Sequence, residues 1–269
     1  ASDNMKILIT GAHGFVGNRL MQDLDDTVAA PSMRSMSEEQ IRNMIEKSRA
    51  DVIIHTAAIS DVGTCEKNPG ASYEANVRLP LFLAKAAKEQ KLICFSSDQV
   101  YRGCAGEGPY KEEDASPCNV YGRHKLEMEQ KVLDVKPDAV MLRAEWMYDY
   151  PTKRSNYLRM LLNEKQVLTF GKQYRGITYL REVAENMPKI FMLPGGVYNF
   201  GSETKQTMYD ITCEMLHFLK SDRKPEEVPP AHNLWMDCTK AKERGILFSD
   251  AKEGLKRCLK DYHLAKDRE

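Results

Sequence analysis

Over the first 150 residues, short apolar runs alternate with longer stretches whose apolar positions recur every three or four residues. Lys6-Ile-Leu-Ile-Thr10 is a β-rich run. Val16, Leu20, Met21 and Leu24 then follow at helical spacing. Thr27–Ala30 is a second short strand. Ser37-Glu-Glu-Gln40 is a capping box that opens a helix through Ile41, Met44 and Ile45. Asp51–His55 is a third strand, and an Ala-rich helix is expected over about residues 72–90. Leu92–Phe95 is a strand running into Ser96-Ser97-Asp98, Tyr121–Leu133 is helical, and Ala139–Leu142 is another strand. Strands that are apolar almost throughout, each followed by a helix, predict an α/β fold with a doubly wound parallel sheet covered on both faces. After Tyr150 the alternation loosens. Helices are expected near 155–164, 180–192 and 207–220, short strands near 167–170 and 197–200, and a loop over Ser221–Pro230. Met208, Ile211, Met215 and Leu216 form the apolar stripe of a core-facing helix.

Charge narrows the partners. Lys+Arg and Asp+Glu balance at 39 each, so no electrostatic footprint for nucleic acid or an anionic membrane is present. The longest apolar runs, such as Ile190–Leu193, fall far short of the roughly 20 residues that span a bilayer. No basic segment precedes an apolar one as in a signal peptide, and Ala1–Asn4 resemble a tag remnant. Seven scattered cysteines without a C-x-x-C pair fit neither a disulfide framework nor a zinc site, and the six histidines show no metal spacing. A reducing compartment, by default the cytoplasm, is expected, with no metal.

The first chemistry lies at Gly11-Ala-His-Gly14-Phe-Val-Gly17, a G-x-x-G-x-x-G turn between the first strand and the first helix. Gly11 permits the tight turn, Gly14 lets the backbone approach a phosphate, and Gly17 lets the helix pack closely on the sheet. Free N–H groups and the helix dipole then meet a pyrophosphate. Cofactor type is set at the end of the second strand. No acid stands between Thr27 and Ser37, whereas Arg34 is placed to meet a 2′-phosphate. NADP is therefore the expected cofactor, with NAD the alternative if Arg34 is merely solvated.

The second chemistry joins three residues. Ser97 ends a strand, at the edge where α/β sheets bind ligands. Tyr121 and Lys125 are four apart on one helix face. A free tyrosine, with a pKa of about 10, exchanges protons poorly at neutral pH; a neighbouring ammonium stabilises the phenolate. A serine hydroxyl can hold a substrate oxygen in line.

These motifs together resemble the extended short-chain dehydrogenase/reductases, and within them the dTDP-4-dehydrorhamnose reductase group. The resemblance is carried by Thr10–Gly17, Asp51–Ala58, Ser96-Ser-Asp-Gln-Val-Tyr101, Pro117–Glu127 and Leu142-Arg-Ala-Glu-Trp-Met-Tyr148, with weaker landmarks at Gly196–Phe200 and Met236–Lys240. It implies a Rossmann-type domain over residues 5–150 and a small α/β substrate-binding lobe over 151–269, some of whose segments return to the first. It further implies NADPH-dependent reduction of a keto group on a nucleotide-linked deoxysugar, with a homodimer as one expected assembly. Tyr121 would donate the proton, Lys125 would hold the nicotinamide ribose and tune Tyr121, and Ser97 would bind the keto oxygen. Asp98 and Trp146 would lie beside the sugar. Gly14, Phe15 and Val16 would meet the pyrophosphate, Ala58, Ile59 and Ser60 would line the cofactor, and Asn76 would also face it.

The chain departs from the family pattern in places. Gln99 replaces an aromatic, the connection at Ser35-Met-Ser37 is shortened, and the segments Lys172–Thr178 and Pro230–Asn233 differ. Arg175 is a candidate replacement for a lost diphosphate contact, or else a surface arginine. Two alternatives remain open from the sequence. A nucleotide-sugar epimerase or dehydratase shares the fold and the Tyr/Lys pair, although Gln99 stands where such dehydratases carry Glu. A non-catalytic NADP-binding regulatory subunit, like that of methionine adenosyltransferase, looks similar as well.

Overall fold

The computed structural model describes residues 5–265; the tag-like Ala1–Asn4 lie outside the described residues. Six strands form one sheet: β1 (Ile7–Thr10), β2 (Thr27–Ala29), β3 (Val52–His55), β4 (Lys91–Ser97), β5 (Val140–Ala144) and, later in the chain, β9 (Gly196–Phe200). Their order is β2-β1-β3-β4-β5-β9, and every pairing is parallel. Alternate side chains enter opposite layers, as period-two geometry requires. Ile7, Ile9, Val52, Ile54, Ile93, Val140 and Leu142 face one apolar layer, while Leu8, Ile53, Leu92, Cys94 and Met141 face the other. The Rossmann-type, doubly wound sheet expected from the sequence is the observed one.

The first layer is closed by α1 (Phe15–Asp23) and α8 (Leu180–Ile190). The second is closed by α2 (Glu38–Ser48), α5 (Leu79–Ala86) and α6 (Val120–Val135). The Ser37 capping box is present, with Ser37 and Gln40 satisfying each other's backbone N–H. The Ala-rich helix expected over 72–90 is broken into α4 (Pro69–Tyr73), a π-helical segment (Glu74–Arg78) and α5; α3 (Val62–Lys67) precedes them. Pro80 has no N–H to offer the carbonyl of Asn76, and the wider turn accommodates its ring.

Residue 150 is not a boundary in space, because α8 and β9 return to the main unit. The remaining segments form a second, smaller core. Here β6 (Trp146–Tyr148) pairs with β8 (Ile177–Tyr179), and β7 (Thr169–Phe170) pairs with β10 (Glu226–Glu227) inside the stretch expected to be loop. Helices α7 (Tyr157–Leu162), α9 (Met208–Phe218) and α11 (Ala251–Asp261) pack on these strands, and Met208, Ile211, Met215 and Leu216 are core as expected. A short α10 (Thr239–Lys242) lies against β9. Arg19 of α1 ties the two units, donating to both oxygens of Asp149 (2.9 and 2.7 Å) and to the Tyr262 hydroxyl. No described helix is long and apolar enough to cross a membrane.

A buried ion pair fixes α6 on the sheet. Arg143 of β5 donates to Glu129 through Nε (2.9 Å) and Nη2 (2.7 Å), and Glu129 also accepts from the Ser96 hydroxyl. Removing one member strands a buried charge, so Arg143→Ala is expected to cost about 3–5 kcal/mol in denaturant unfolding. An apolar pair, Glu129→Leu with Arg143→Met, is expected to cost clearly less. A single variant no worse than the double would show that the pair carries no such constraint.

Candidate active site

The glycine turn lies at the crevice where the strand order reverses, at the carboxyl ends of β1 and β3, which are in register from Ile7 and Val52 to Thr10 and His55. Gly11 has φ +62°, and a Cβ there would press on Thr56 Oγ1 and the Ala57 nitrogen. Gly17 is buried, and a Cβ on it would collide with the Gly11 carbonyl, so α1 can seat against the turn only because both positions are glycine. Gly17 therefore shapes the turn and does not itself line a cavity. Gly14 is the N-cap of α1 and supplies no side-chain oxygen, and no acid lies in the first turn. The first backbone N–H groups, at Phe15 and Val16, are left to an anion.

Two cavities meet at this turn, sharing Gly11, Gly14, Ala57 and Ala58. The larger, about 710 Å³, runs past Ala30, Ser32, Arg34 and Ile59. The smaller, about 510 Å³, runs past Phe15, Val16 and Ser60 to Ser97, Tyr121, Lys125 and Trp146. A continuous path with free N–H donors at its waist and an arginine at one end fits a dinucleotide with a 2′-phosphate. Asn76 is a correction to the sequence expectation, because it does not face either cavity. It is fully buried, its amide oxygen accepts from the Ile59 N–H (3.3 Å), and its amide nitrogen donates to the Ile59 carbonyl (3.0 Å). It positions the loop that lines the path, from the π-helical segment.

At the far end, Ser97 closes β4 and accepts from the Gln99 N–H at 3.0 Å. Tyr121 and Lys125 sit on the first turns of α6, whose N-cap Asn119 accepts from the Gly122 N–H at 2.7 Å. All three side chains are buried on the wall of the smaller cavity. Lys125 Nζ donates to the Phe95 carbonyl (3.0 Å) and stands 5.8 Å from the centre of the Tyr121 ring.

Burial dominates the electrostatics here. It lowers the Lys125 ammonium to about 8, opposed by Cys94 and Glu129, and lowers His55 to about 3, with Lys125 adding to that shift. It raises the Tyr121 phenol above its ordinary value, opposed by the nearby Ser97 hydroxyl and reinforced by Asp98. A phenol lowered by Lys125, as the sequence suggested, is therefore not what the structure contains. Desolvation outweighs the Ser97 hydrogen bond and the Arg154 charge, and the phenol stays protonated at neutral pH.

Beyond Ser97 the wall is formed by Asp98, Glu145, Trp146 and Arg175. The Arg175 guanidinium lies over the Trp146 ring (5.2 Å) with Nε 3.5 Å from Asp98 Oδ2, which places it beside Trp146 and not on the exterior. Two residues on this wall were not singled out from the sequence. Arg154 lies over the Phe15 ring and reaches Ser60 Oγ at 3.3 Å. Glu145 is buried between β5 and β6, where no local sequence pattern marks it.

A dTDP-4-dehydrorhamnose reductase of Aggregatibacter actinomycetemcomitans is 28% identical over 243 residues, 83% of this chain and 82% of its own length. The methionine adenosyltransferase 2 subunit beta of Danio rerio is also 28% identical, over 77% of this chain and 72% of its own. The crystal structure of dTDP-4-dehydrorhamnose reductase from Bacillus anthracis in complex with NADP superposes with a TM-score of 0.85, at 21% identity, covering 96% of this chain and 98% of that one. With residues 5–264 matching its family model, the chain belongs to the RmlD substrate binding domain family.

Proposed function

We propose that this protein is an NADPH-dependent reductase of a keto group on a nucleotide-linked deoxysugar, of the dTDP-4-dehydrorhamnose type. The observation that carries the reading is the convergence of Ser97, Tyr121 and Lys125 on one cavity wall, with the phenol held protonated by burial. The identity of the curated reductase relative supports the substrate class.

In this reading residues 5–150 provide most of the cofactor site and the lobe within 151–269 closes over the sugar. Gly11 and Gly14, with the N–H groups of Phe15 and Val16, hold the pyrophosphate. Gly17 shapes that turn, Arg34 meets the 2′-phosphate, Ala58, Ile59 and Ser60 line the path, and Asn76 holds Ile59. When bound, NADPH supplies the hydride that reduces the carbonyl carbon. Ser97 orients the carbonyl oxygen, and Tyr121 gives its hydroxyl proton to that oxygen as negative charge develops. A phenol raised by burial suits this direction, since a proton donor must carry its proton at working pH. Lys125 holds the ribose, and its ammonium stabilises the phenolate left behind. Asp98 and Trp146 flank the sugar.

The direct test follows NADPH absorbance with dTDP-4-dehydrorhamnose. Wild type is expected to oxidise NADPH, and Tyr121→Phe to lose about 10²–10⁴-fold in rate, the range for removing a general acid. Tight NADPH binding without oxidation would instead favour the alternative of a non-catalytic, NADP-binding regulatory subunit.

Two further outcomes are expected. Arg34→Ala should raise KM for NADPH by about 10–100-fold, the loss of a charge-assisted contact, while leaving kcat and the KM for NADH almost unchanged. Equal effects on both cofactors would remove Arg34 from the 2′-phosphate site. Because Lys125 in the folded protein is lowered to about 8, its ammonium is present below that pH and lost above it. The kcat/KM for NADPH should therefore fall as pH rises through about 8. Tyr121 cannot cause this limb, since its shift is upward, and a profile flat to about pH 10 would exclude the role given to Lys125.

A further inference from the structure

Among the described residues, five buried side-chain polar atoms have no hydrogen-bond partner, and three of them come from residues lining one corner of the smaller cavity: Asp98 Oδ2 and Arg175 Nε, which face each other as an ion pair at 3.5 Å, and Glu145 Oε1, which faces no such partner. Glu145 is the most deliberately built of the three. Its Oε2 accepts from the Thr178 hydroxyl at 3.0 Å, and that hydroxyl accepts from the Ser202 N–H at 3.0 Å, so one side of the carboxyl is anchored. Glycine makes the room it occupies. A Cβ on Gly176 would overlap the carboxyl, and a Cβ on Gly201 would come within 2.6 Å of Oε2. The other oxygen, Oε1, is left unpaired on a side chain that lines the cavity.

A carboxyl that served only the fold would have both oxygens satisfied, because a buried unpaired acceptor is destabilising. Here the surroundings also favour its protonated form. Burial raises Glu145 well above its ordinary range and the Asp98 charge adds to this, with Thr178 and Arg175 opposing and Glu203 reinforcing. A neutral carboxyl offers one donor and one acceptor, the complement of an alcohol. The β4–β5 register pairs Ser97 with Ala144, so Glu145 follows directly after the residue beside Ser97. A group held by Glu145 thus belongs to the same substrate as the carbonyl but to a different ring carbon.

We propose that Glu145 recognises a ring hydroxyl of the sugar and makes the protein selective for hydroxylated over deoxygenated rings. The inference rests on the reductase reading and deepens it from a keto-sugar to one bearing a hydroxyl at the position Glu145 meets. A site that hydrogen-bonds a substrate hydroxyl rejects the analogue lacking it far more strongly than an apolar pocket rejects a missing methylene, because the protein group is then stranded.

The experiment compares dTDP-4-keto-6-deoxyhexose bearing hydroxyls at C2 and C3 with its 2-deoxy and 3-deoxy counterparts. It uses wild type, Glu145→Gln, Glu145→Met and Glu145→Ala, and reads kcat/KM. In parallel, calorimetry measures binding of the corresponding reduced dTDP-sugars to protein saturated with NADP. Wild type is expected to disfavour one deoxy counterpart by about 10²-fold or more in kcat/KM, with a parallel loss of binding. Glu145→Gln keeps a donor and an acceptor in the same space and should retain most of that preference. Glu145→Met fills the space without either and should reduce the preference below about 10-fold by losing activity on the hydroxylated sugar; Glu145→Ala should do the same, and either variant suffices. A preference that is the same size in all the proteins, or absent from wild type, overturns the role of Glu145 while leaving the reductase reading standing. No oxidation and no binding of any of the sugars overturns the reductase reading and this inference together.

Discussion

The buried guanidinium of Arg143 is the contact on which the arrangement of the site depends. From β5 it grips Glu129 of α6, and its Nη1 donates to the Tyr101 hydroxyl and the Glu112 carbonyl, both at 2.7 Å. Tyr101 in turn donates to Asn199 of β9, and Glu129 accepts from Ser96, the neighbour of Ser97. Three strands, the 98–101 turn and α6 therefore share one network. Such a pair contributes little net stability, because desolvating two charges offsets most of their attraction, but its bidentate geometry allows few alternative positions. Lys125 and Tyr121 lie one and two turns before Glu129 on the same helix, so the angle at which they meet Ser97 follows from this pairing.

The same exclusion of water that makes the pair demanding gives the cavity its chemistry. Lys125 moves down to about 8 and His55 to about 3, while Tyr121, Asp98 and Glu145 move up, with burial the largest cause in every case. Each shift favours the neutral form. A wall from which water is excluded suits polarising and protonating a carbonyl oxygen, since each hydrogen bond acts in a low dielectric without competing water. The unpaired Oε1 of Glu145 is the stability cost of a wall aimed at a ligand.

How legible this was in the sequence depended on how local the cause was. The strands of the main sheet are continuous apolar runs, the turn needs glycine at Gly11 and Gly17 for reasons of backbone space, and Tyr121 and Lys125 share a helix face by periodicity alone. All of these follow from residues near one another in the chain. The helix over 72–90 failed because Pro80 acts one turn back on Asn76, widening a turn that composition suggested was regular. The second core was harder: β7 falls in the expected strand near 167–170, but its partner β10 and the pair β6 and β8 are two or three residues long, and the pairings span about 30 and 57 residues (Trp146 with Ile177, Thr169 with Glu226). Such strands exist because tertiary packing holds them, and no hydrophobic period can announce them. Glu145 was invisible for a related reason, in that its environment is built by Gly176, Thr178 and Gly201, none of them adjacent to it.

Departures from the family pattern divide along the same line. Gln99, which stands in place of an aromatic, has its amide oxygen accepting from Asn119 Nδ2 at 3.2 Å and from Arg102 Nε at 3.3 Å. Asn119 caps α6, so Gln99 steadies the start of the helix that carries Tyr121. Arg175, by contrast, lies at the sugar end of the cavity against Asp98 and Trp146, together with Glu145. The two departures thus sit on different sides of the same cavity: Gln99 braces the start of the helix that carries Tyr121, and Arg175 puts a guanidinium on the wall beside Trp146.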